Sequence, residues 1–418
     1  MLVVAGEYPW PLNSGSRRRL SAVLTGLSGL GSVDLFSVVP AVRTEFDPPP
    51  PTSTVTQATH VGFDDRPPQG SERLRLWLGR AWPMQLPRRH HPELVRAFEE
   101  FLATGGEYDL VWFYGVRPWV FLGDLCPRPS VLDLDDLEDY KIAAFSRMPR
   151  HDRRGVTGIK RVIGWARAMG AQWLLRGEIA RWRRLQRRAS ADNTLCVVCS
   201  ELDARRARTT GLDPVEVVVN SYPQPNPPVG RSDVGAPPTL VFPGTLKYPP
   251  NAYGASWFVS EITPLLAQTV PDATLRIVGV STPAVNALAD PPRVVVVGPV
   301  GEIADELAQA DAVVVPLHFG SGTRLKVLEA FAHRLPVVST TLGAEGLGAE
   351  DEVHLLVADT AEAFALACQR VLTDRSLRLR LVDAAESLYR ENFESALAAA
   401  RVAEVARQVM ESNGAAGD

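Results

Sequence analysis

Pro316-Leu-His-Phe-Gly-Ser-Gly-Thr-Arg-Leu-Lys-Val-Leu-Glu-Ala-Phe-Ala-His-Arg-Leu-Pro336 lies between two short apolar runs, Ala312–Val315 and Val337–Ser339. Such runs read as buried strands, and the segment between them reads as a helix entered through a glycine-rich turn. Gly320 and Gly322 open that turn. A turn of this kind aims free backbone N–H groups and the positive end of the helix dipole at one point, which suits an anion. Lys326 and Glu329 are three apart and share a helix face. That face could hold a diphosphate with Lys326 and a sugar hydroxyl pair with Glu329.

The strand–helix–strand pattern repeats in both directions. Upstream, Leu2–Val4, Ser32–Val38, Leu110–Phe113, Ser130–Leu134, Thr194–Val198 and Glu216–Val219 read as strands. Downstream, Thr239–Phe242, Thr274–Val278, Arg293–Val297, Ala312–Val315, Pro336–Ser339 and His354–Val357 do so. Helical stretches such as Arg17–Leu30, Pro92–Leu102, Ala255–Leu266 and Ala361–Leu372 lie between them. Continuous apolar strands alternating with helices imply parallel sheets covered on both faces. The fold class is therefore α/β, with two doubly wound halves. The length of 418 residues suits two domains. Residues 221–238 contain six prolines and cannot hold a helix or a central strand. The expected division is a first domain over 1–222, a linker over 223–238 and a second domain over 239–390. A helix over 391–412 is expected to pack back toward the first domain, and 413–418 is a tail.

Composition excludes several classes. A net charge of -4 gives no global pull toward nucleic acid. No apolar run approaches the roughly 18 residues of a membrane helix. The strand-like N-terminus lacks a basic lead-in, so a cytoplasmic protein is expected. Four cysteines in this length make no disulfide framework. Cys196 and Cys199 point to opposite faces of a strand and read as core residues. One segment is unusual: 147–188 carries 13 Lys/Arg against Asp152 and Glu178, with Trp165, Trp173 and Trp182 interleaved. It reads as a helix with a solvated basic face, or as a surface that touches the inner face of a membrane.

Gly320-Ser-Gly-Thr-Arg-Leu-Lys-Val-Leu-Glu-Ala-Phe-Ala332 and Pro336-Val-Val-Ser-Thr-Thr-Leu-Gly-Ala-Glu-Gly-Leu347 resemble the donor-site signature of family 4 (group 1) glycosyltransferases. Val241-Phe-Pro-Gly-Thr-Leu-Lys-Tyr-Pro-Pro-Asn251 is similar to the opening strand and loop of that family's second domain. Tyr8-Pro-Trp-Pro-Leu-Asn-Ser-Gly-Ser-Arg-Arg-Arg19 resembles its N-terminal glycine loop. The resemblance implies a GT-B fold, two Rossmann-like parallel-sheet domains facing across a cleft. It implies a retaining hexosyltransferase-type enzyme that moves a sugar from a UDP-, GDP- or dTDP-sugar co-substrate to an acceptor hydroxyl. The acceptor would be a glycan, a lipid-linked molecule or a natural product. No metal and no other cofactor is implied.

The resemblance also assigns roles. Glu329 matches the ribose-binding glutamate. Lys326, Arg324 and Lys247 are cations for the diphosphate, and Gly244, Gly320, Ser321, Gly322 and Thr323 line its loops. Asn251 is a ligand contact or the N-cap of the next helix. Glu345 reaches the donor, and Gly15 and Ser16 bring backbone close to the transferred group. Asp135 and Asp136 stand where many relatives carry a His-Asp pair, and with Lys326 they are the catalytic candidates. Arg17, Arg18 and Arg19 in a helix's first turn oppose its dipole and hint at an anionic ligand. Two departures stand out. Ser321 replaces the common glutamate eight residues before Glu329, and Arg334 replaces a C-terminal glycine. A catalytically weak GT-B subunit, or a GT-B epimerase or phosphorylase, is the alternative reading.

Overall fold

The computed structural model describes residues 1–12, 14–40, 51, 54–63, 83, 86, 91–146, 159–225, 237–322 and 324–414. Two compact units divide the chain: Met1–Asn220 with Ala396–Asp418, and Ser221–Ser395. Most of the Pro-rich linker, the 147–158 part of the basic segment, Thr323 and the end of the tail lie outside the described residues.

The first unit holds a parallel seven-stranded sheet in the order β3-β2-β1-β4-β5-β6-β7. The strands are β1 Leu2–Ala5, β2 Asp34–Pro40, β3 Gln57–Phe63, β4 Val111–Tyr114, β5 Ser130–Leu134, β6 Leu195–Val198 and β7 Val215–Val217. Side chains alternate along each strand, so Leu2 and Val4 enter one core with Phe36 and Phe98. Met1, Val3 and Ala5 enter the other, with Leu20, Val23 and Leu27 of helix Gly15–Ser28. The C-terminal helix Ser395–Gly414 covers that second face through Val402, Val405, Ala406 and Val409, spaced as one helical stripe. Gly26 permits the close approach: a Cβ there would lie 2.4 Å from the Ala399 carbonyl.

The second unit repeats the order with β10-β9-β8-β11-β12-β13, again all parallel. Its strands are β8 Thr239–Pro243, β9 Thr274–Val278, β10 Val294–Gly298, β11 Ala312–Val315, β12 Val337–Ser339 and β13 Leu356–Val357. In both sheets the strand order reverses at the first strand, between β1 and β4 and between β8 and β11. Ligands of such sheets bind at the carboxyl ends of the strands beside that reversal.

Two local features depart from the sequence expectations. β3 is an edge strand of mixed, half-exposed residues, and it lacks the apolar run that marks its neighbours. The helix expected over Ala255–Leu266 runs from Pro249 to Thr269 with one π-turn at Phe258–Ile262. Pro264 removes one N–H from that ladder, which is a physical reason for the bulge. Of the basic segment, the helix Ile159–Asp192 is described. It buries Trp182, Leu185 and Ala189 in the core and leaves Trp173 63% exposed. Among the described residues no helix is long and apolar enough to cross a membrane. Cys196 and Cys199 are buried and form no disulfide.

Arg334 adopts the left-handed conformation that glycine would supply, with φ +56°. Its guanidinium is tied to Asp383 at 2.8 Å and to Glu386. Left-handed geometry costs a non-glycine residue roughly 1–2 kcal/mol. Arg334→Ala and Arg334→Gly lose the same ion pairs and differ in that cost. The glycine variant should therefore be the more stable by about 1 kcal/mol in urea denaturation. Equal midpoints would refute the strain.

Candidate functional site

In the second unit the strand reversal is lined by two glycine turns. β8 ends in Gly244, with φ +146°, and the turn after β11 carries Gly320 at +112° and Gly322 at +89°. Helix Leu325–Ala332 follows and presents Lys326 back toward Gly244. The Lys326 ammonium donates to Asn251 Oδ1 at 2.8 Å and lies 4.6 Å from the centroid of the Phe242 ring. Asn251 Nδ2 in turn donates to the Thr245 carbonyl at 2.9 Å, so the amide orientation follows from its two partners. A Cβ at Gly244 would sit 3.0 Å from Lys326 Nζ and 2.9 Å from Asn251 Nδ2. Gly244 is thus required both for its backbone angle and for the space it leaves beside the ammonium.

Burial disfavours the charge on Lys326, and Arg324 adds to this; Glu329 opposes both. The net result lowers the pKa to about 7. Arg324, a diphosphate cation by the sequence reading, is turned to the protein's own backbone. It is 5% exposed and donates to three carbonyls: Leu342 at 3.1 Å, Ser321 at 2.9 Å and Gly320 at 3.3 Å. It pins the glycine turn to the short turn Leu342–Ala344, after which Glu345 is half-buried. Gly320 packs on the loop after β8, where a Cβ would meet Pro250 Cγ at 3.0 Å and the Tyr248 hydroxyl at 3.3 Å. The structure therefore gathers Gly244, Asn251, Gly320 and Lys326, with Glu329 half-buried on the helix of Lys326. Lys247 is exposed and joins none of these hydrogen bonds.

In the first unit Asp135 and Asp136 follow β5. Asp135 accepts from Asn220 Nδ2 at 2.9 Å and lies 3.3 Å from the Tyr114 hydroxyl, which also reaches the Ser16 carbonyl at 2.9 Å. Asp135 is thereby linked to the helix start at Gly15 and Ser16, where Ser14 caps the helix by accepting from Arg17 N. Burial raises the pKa of Asp135 against the pull of Arg19. Asp136 turns away to Lys141 at 3.2 Å.

The arginine run has a different meaning from the one expected. Arg19 is 2% exposed and pairs at 2.7 Å with Asp133, which is fully buried. It also donates to the Val218 carbonyl and Asn220 Oδ1. Arg17 donates to the Pro11 carbonyl and faces Glu7. The cations that oppose the helix dipole are met by the protein itself. Tyr114 and Asn220 were not singled out from sequence. Tyr114 ends a strand, a position that could have marked it, whereas nothing local marks Asn220.

Residues 237–374 match the family described as glycosyl transferases, group 1. Solved structures share the fold of the whole chain. HepE of Anabaena, crystallised with UDP and glucose, aligns with a TM-score of 0.61 at 16% identity, covering 97% of this chain and 98% of that one. A sucrose-phosphate synthase of Thermosynechococcus elongatus aligns with a TM-score of 0.69 at 15% identity, covering 99% and 100%. An uncharacterized 44.6 kDa protein in the cps region of Klebsiella pneumoniae is 25% identical over 165 residues, 37% of this chain and 42% of that protein. The architecture is the GT-B fold, shared over the whole chain, and the family match falls in the second unit.

Proposed function

We propose that the protein is a retaining glycosyltransferase of family 4 that moves a sugar from a nucleoside-diphosphate sugar to a hydroxyl of its acceptor. The second unit binds the donor and the first binds the acceptor. The observation that carries this reading is the Lys326 ammonium, held by Asn251 beside the side-chain-free Gly244 at the strand reversal. A half-buried cation next to backbone without a side chain is the environment that a diphosphate needs.

In this reading Lys326 and the backbone N–H groups of Gly320, Ser321 and Gly322 bind the diphosphate, and Lys247 adds a second, solvent-side cation. Arg324 acts indirectly by fixing that turn. Glu329 accepts from the ribose hydroxyls, and Glu345 contacts the sugar. Asp135, oriented by Tyr114 and Asn220, serves the transferred group together with Gly15 and Ser16, and Asp136, paired with Lys141, acts from the neighbouring position. The bond from the sugar's anomeric carbon to the phosphate oxygen breaks and the bond to the acceptor oxygen forms on the same face. The departing phosphate takes the acceptor's proton, so no protein base is needed. Charge that grows on the leaving phosphate is stabilised by Lys326 and the turn's N–H groups.

The test is turnover with UDP-, GDP- and dTDP-sugars, with the anomeric configuration of the product read by NMR. An inverted product would sink the retaining mechanism. Glu329→Gln should raise the donor KM by about tenfold or more with little change in kcat, because a charge-assisted hydrogen bond to the ribose is lost in ground and transition state alike. An unchanged KM would remove Glu329 from the donor site.

A further inference from the structure

We propose that the first unit carries a subsite for an apolar portion of the acceptor that bears a phosphate or carboxylate. It lies at the carboxyl ends of β1, β2 and β3. This rests on the reading of the first unit as the acceptor half, and it names the chemistry of that acceptor.

A depression with about 280 Å³ of empty space, partly open to solvent, lies at this edge of the sheet. Its walls are Val38 and Pro40 from the end of β2, Phe63 from the end of β3, and Pro118 and Phe121 from the helix Val116–Leu122 after β4. The place is where the order of the first sheet reverses, the edge at which such sheets take ligands. Much of that space is continuous with solvent, and its apolar lining suits the edge of one ring or a short hydrocarbon segment.

The walls pack on one another. The rings of Phe63 and Phe121 meet edge to face at 5.3 Å, and His91 packs on both, at 5.2 Å and 5.3 Å. Gly6, at the end of β1, keeps the space open. A Cβ at Gly6 would meet nothing closer than Pro118 Cγ at 3.5 Å, an ordinary contact. A side chain at position 6 is therefore tolerated by the backbone and can reach into the depression.

The remaining lining residue is Arg117. It is exposed and makes no hydrogen bond or ion pair with a described residue. Arg19, by contrast, is consumed by Asp133. A guanidinium beside an apolar recess selects a ligand with an anion a few bonds from a hydrocarbon group, and its fork matches phosphate and carboxylate oxygens.

The experiment is calorimetric titration of the full chain with octyl phosphate, octanol and inorganic phosphate, with UDP stabilisation of the same samples followed by thermal shift. Octyl phosphate should bind about tenfold or more tighter than either half-probe, because the apolar wall and the cation act together. Gly6→Leu should weaken octyl phosphate and octanol alike. Arg117→Gln, a surface change with no fold to lose, should weaken octyl phosphate and leave octanol unaltered. UDP stabilisation should be the same in all three proteins, and octyl phosphate should not displace UDP. Octyl phosphate binding that is unchanged in both variants, that is matched by inorganic phosphate, or that competes with UDP would overturn the subsite. Loss of UDP stabilisation in the parent would instead count against the glycosyltransferase reading, whatever the octyl phosphate result.

Discussion

Lys326→Met should lower kcat for sugar transfer by about 10²–10³-fold, the usual effect of removing one donor aimed at developing negative charge. The fold should survive, because methionine fills a similar volume and Lys326 is costly to keep charged where it stands. Burial and Arg324 lower its pKa to about 7 from the ordinary 10.5. The linkage has a definite sign. The unfolded chain binds more protons than the folded one between pH ~7 and ~10.5, so stability rises with pH across that window. Below it the penalty is fully present, and the methionine variant should be the more stable protein near pH 7. Ligand binding runs the opposite way. A diphosphate favours the charged ammonium, so binding takes up a proton and UDP affinity should fall as pH rises through about 7. The titration of the phosphate itself is common to parent and variant and is removed by comparing them. Calorimetry at several pH values and single-turnover kinetics would check both arms. A variant within threefold of the parent in kcat would show that Lys326 is not the transition-state cation.

Arg19→Met should destabilise the protein by about 3–5 kcal/mol, the cost of leaving one half of a buried ion pair without its partner. Asp133 is fully buried; its other side-chain hydrogen bond is a 3.3 Å contact from Trp112. The Val218 carbonyl and Asn220 Oδ1 lose a donor at the same time. Replacing both charges, as in Arg19→Met with Asp133→Leu, should recover most of the loss, since a packed apolar pair often equals a buried ionic one. Urea denaturation of the three variants makes the comparison. A single variant that loses less than about 1 kcal/mol would mean that water or rearrangement already compensates Asp133. The effect should extend to Asp135 as well, because Asn220 contacts both Arg19 and Asp135.

How far the sequence can be read depends on the range of the contact. The turn at Gly320 and Gly322 and the helix carrying Lys326 were legible because glycine angles, strand runs and helix faces are local properties. The two parallel sheets followed from the repeat of that pattern, and their fold is confirmed in structures that share it. β3 escaped because an edge strand needs no apolar run. The bond from Lys326 to Asn251 spans 75 positions and that from Arg19 to Asp133 spans 114, so no spacing rule reveals either. The setting of Arg324 is hidden for the same reason. Its three carbonyl partners exist only once the turn at Leu342 has folded against the glycine turn. Arg334 shows the converse: the residue changed from the usual glycine, yet the turn kept glycine's geometry and two acids on the neighbouring helix hold it there.

The C-terminal helix also sets an order of events during synthesis. The second unit begins and ends at neighbouring points: Tyr222 N donates to the Phe393 carbonyl at 3.0 Å, and the Tyr389 hydroxyl donates to the Tyr222 carbonyl at 2.9 Å. Everything this unit needs has been made once Phe393 has left the ribosome. The first unit must wait longer, although it started earlier. Until Val402, Val405 and Val409 emerge, the face formed by Leu20, Val23 and Leu27 has no cover. The half of the protein that is translated first is therefore the half that finishes folding last, and a nascent chain stalled near its end would expose that apolar face to chaperones.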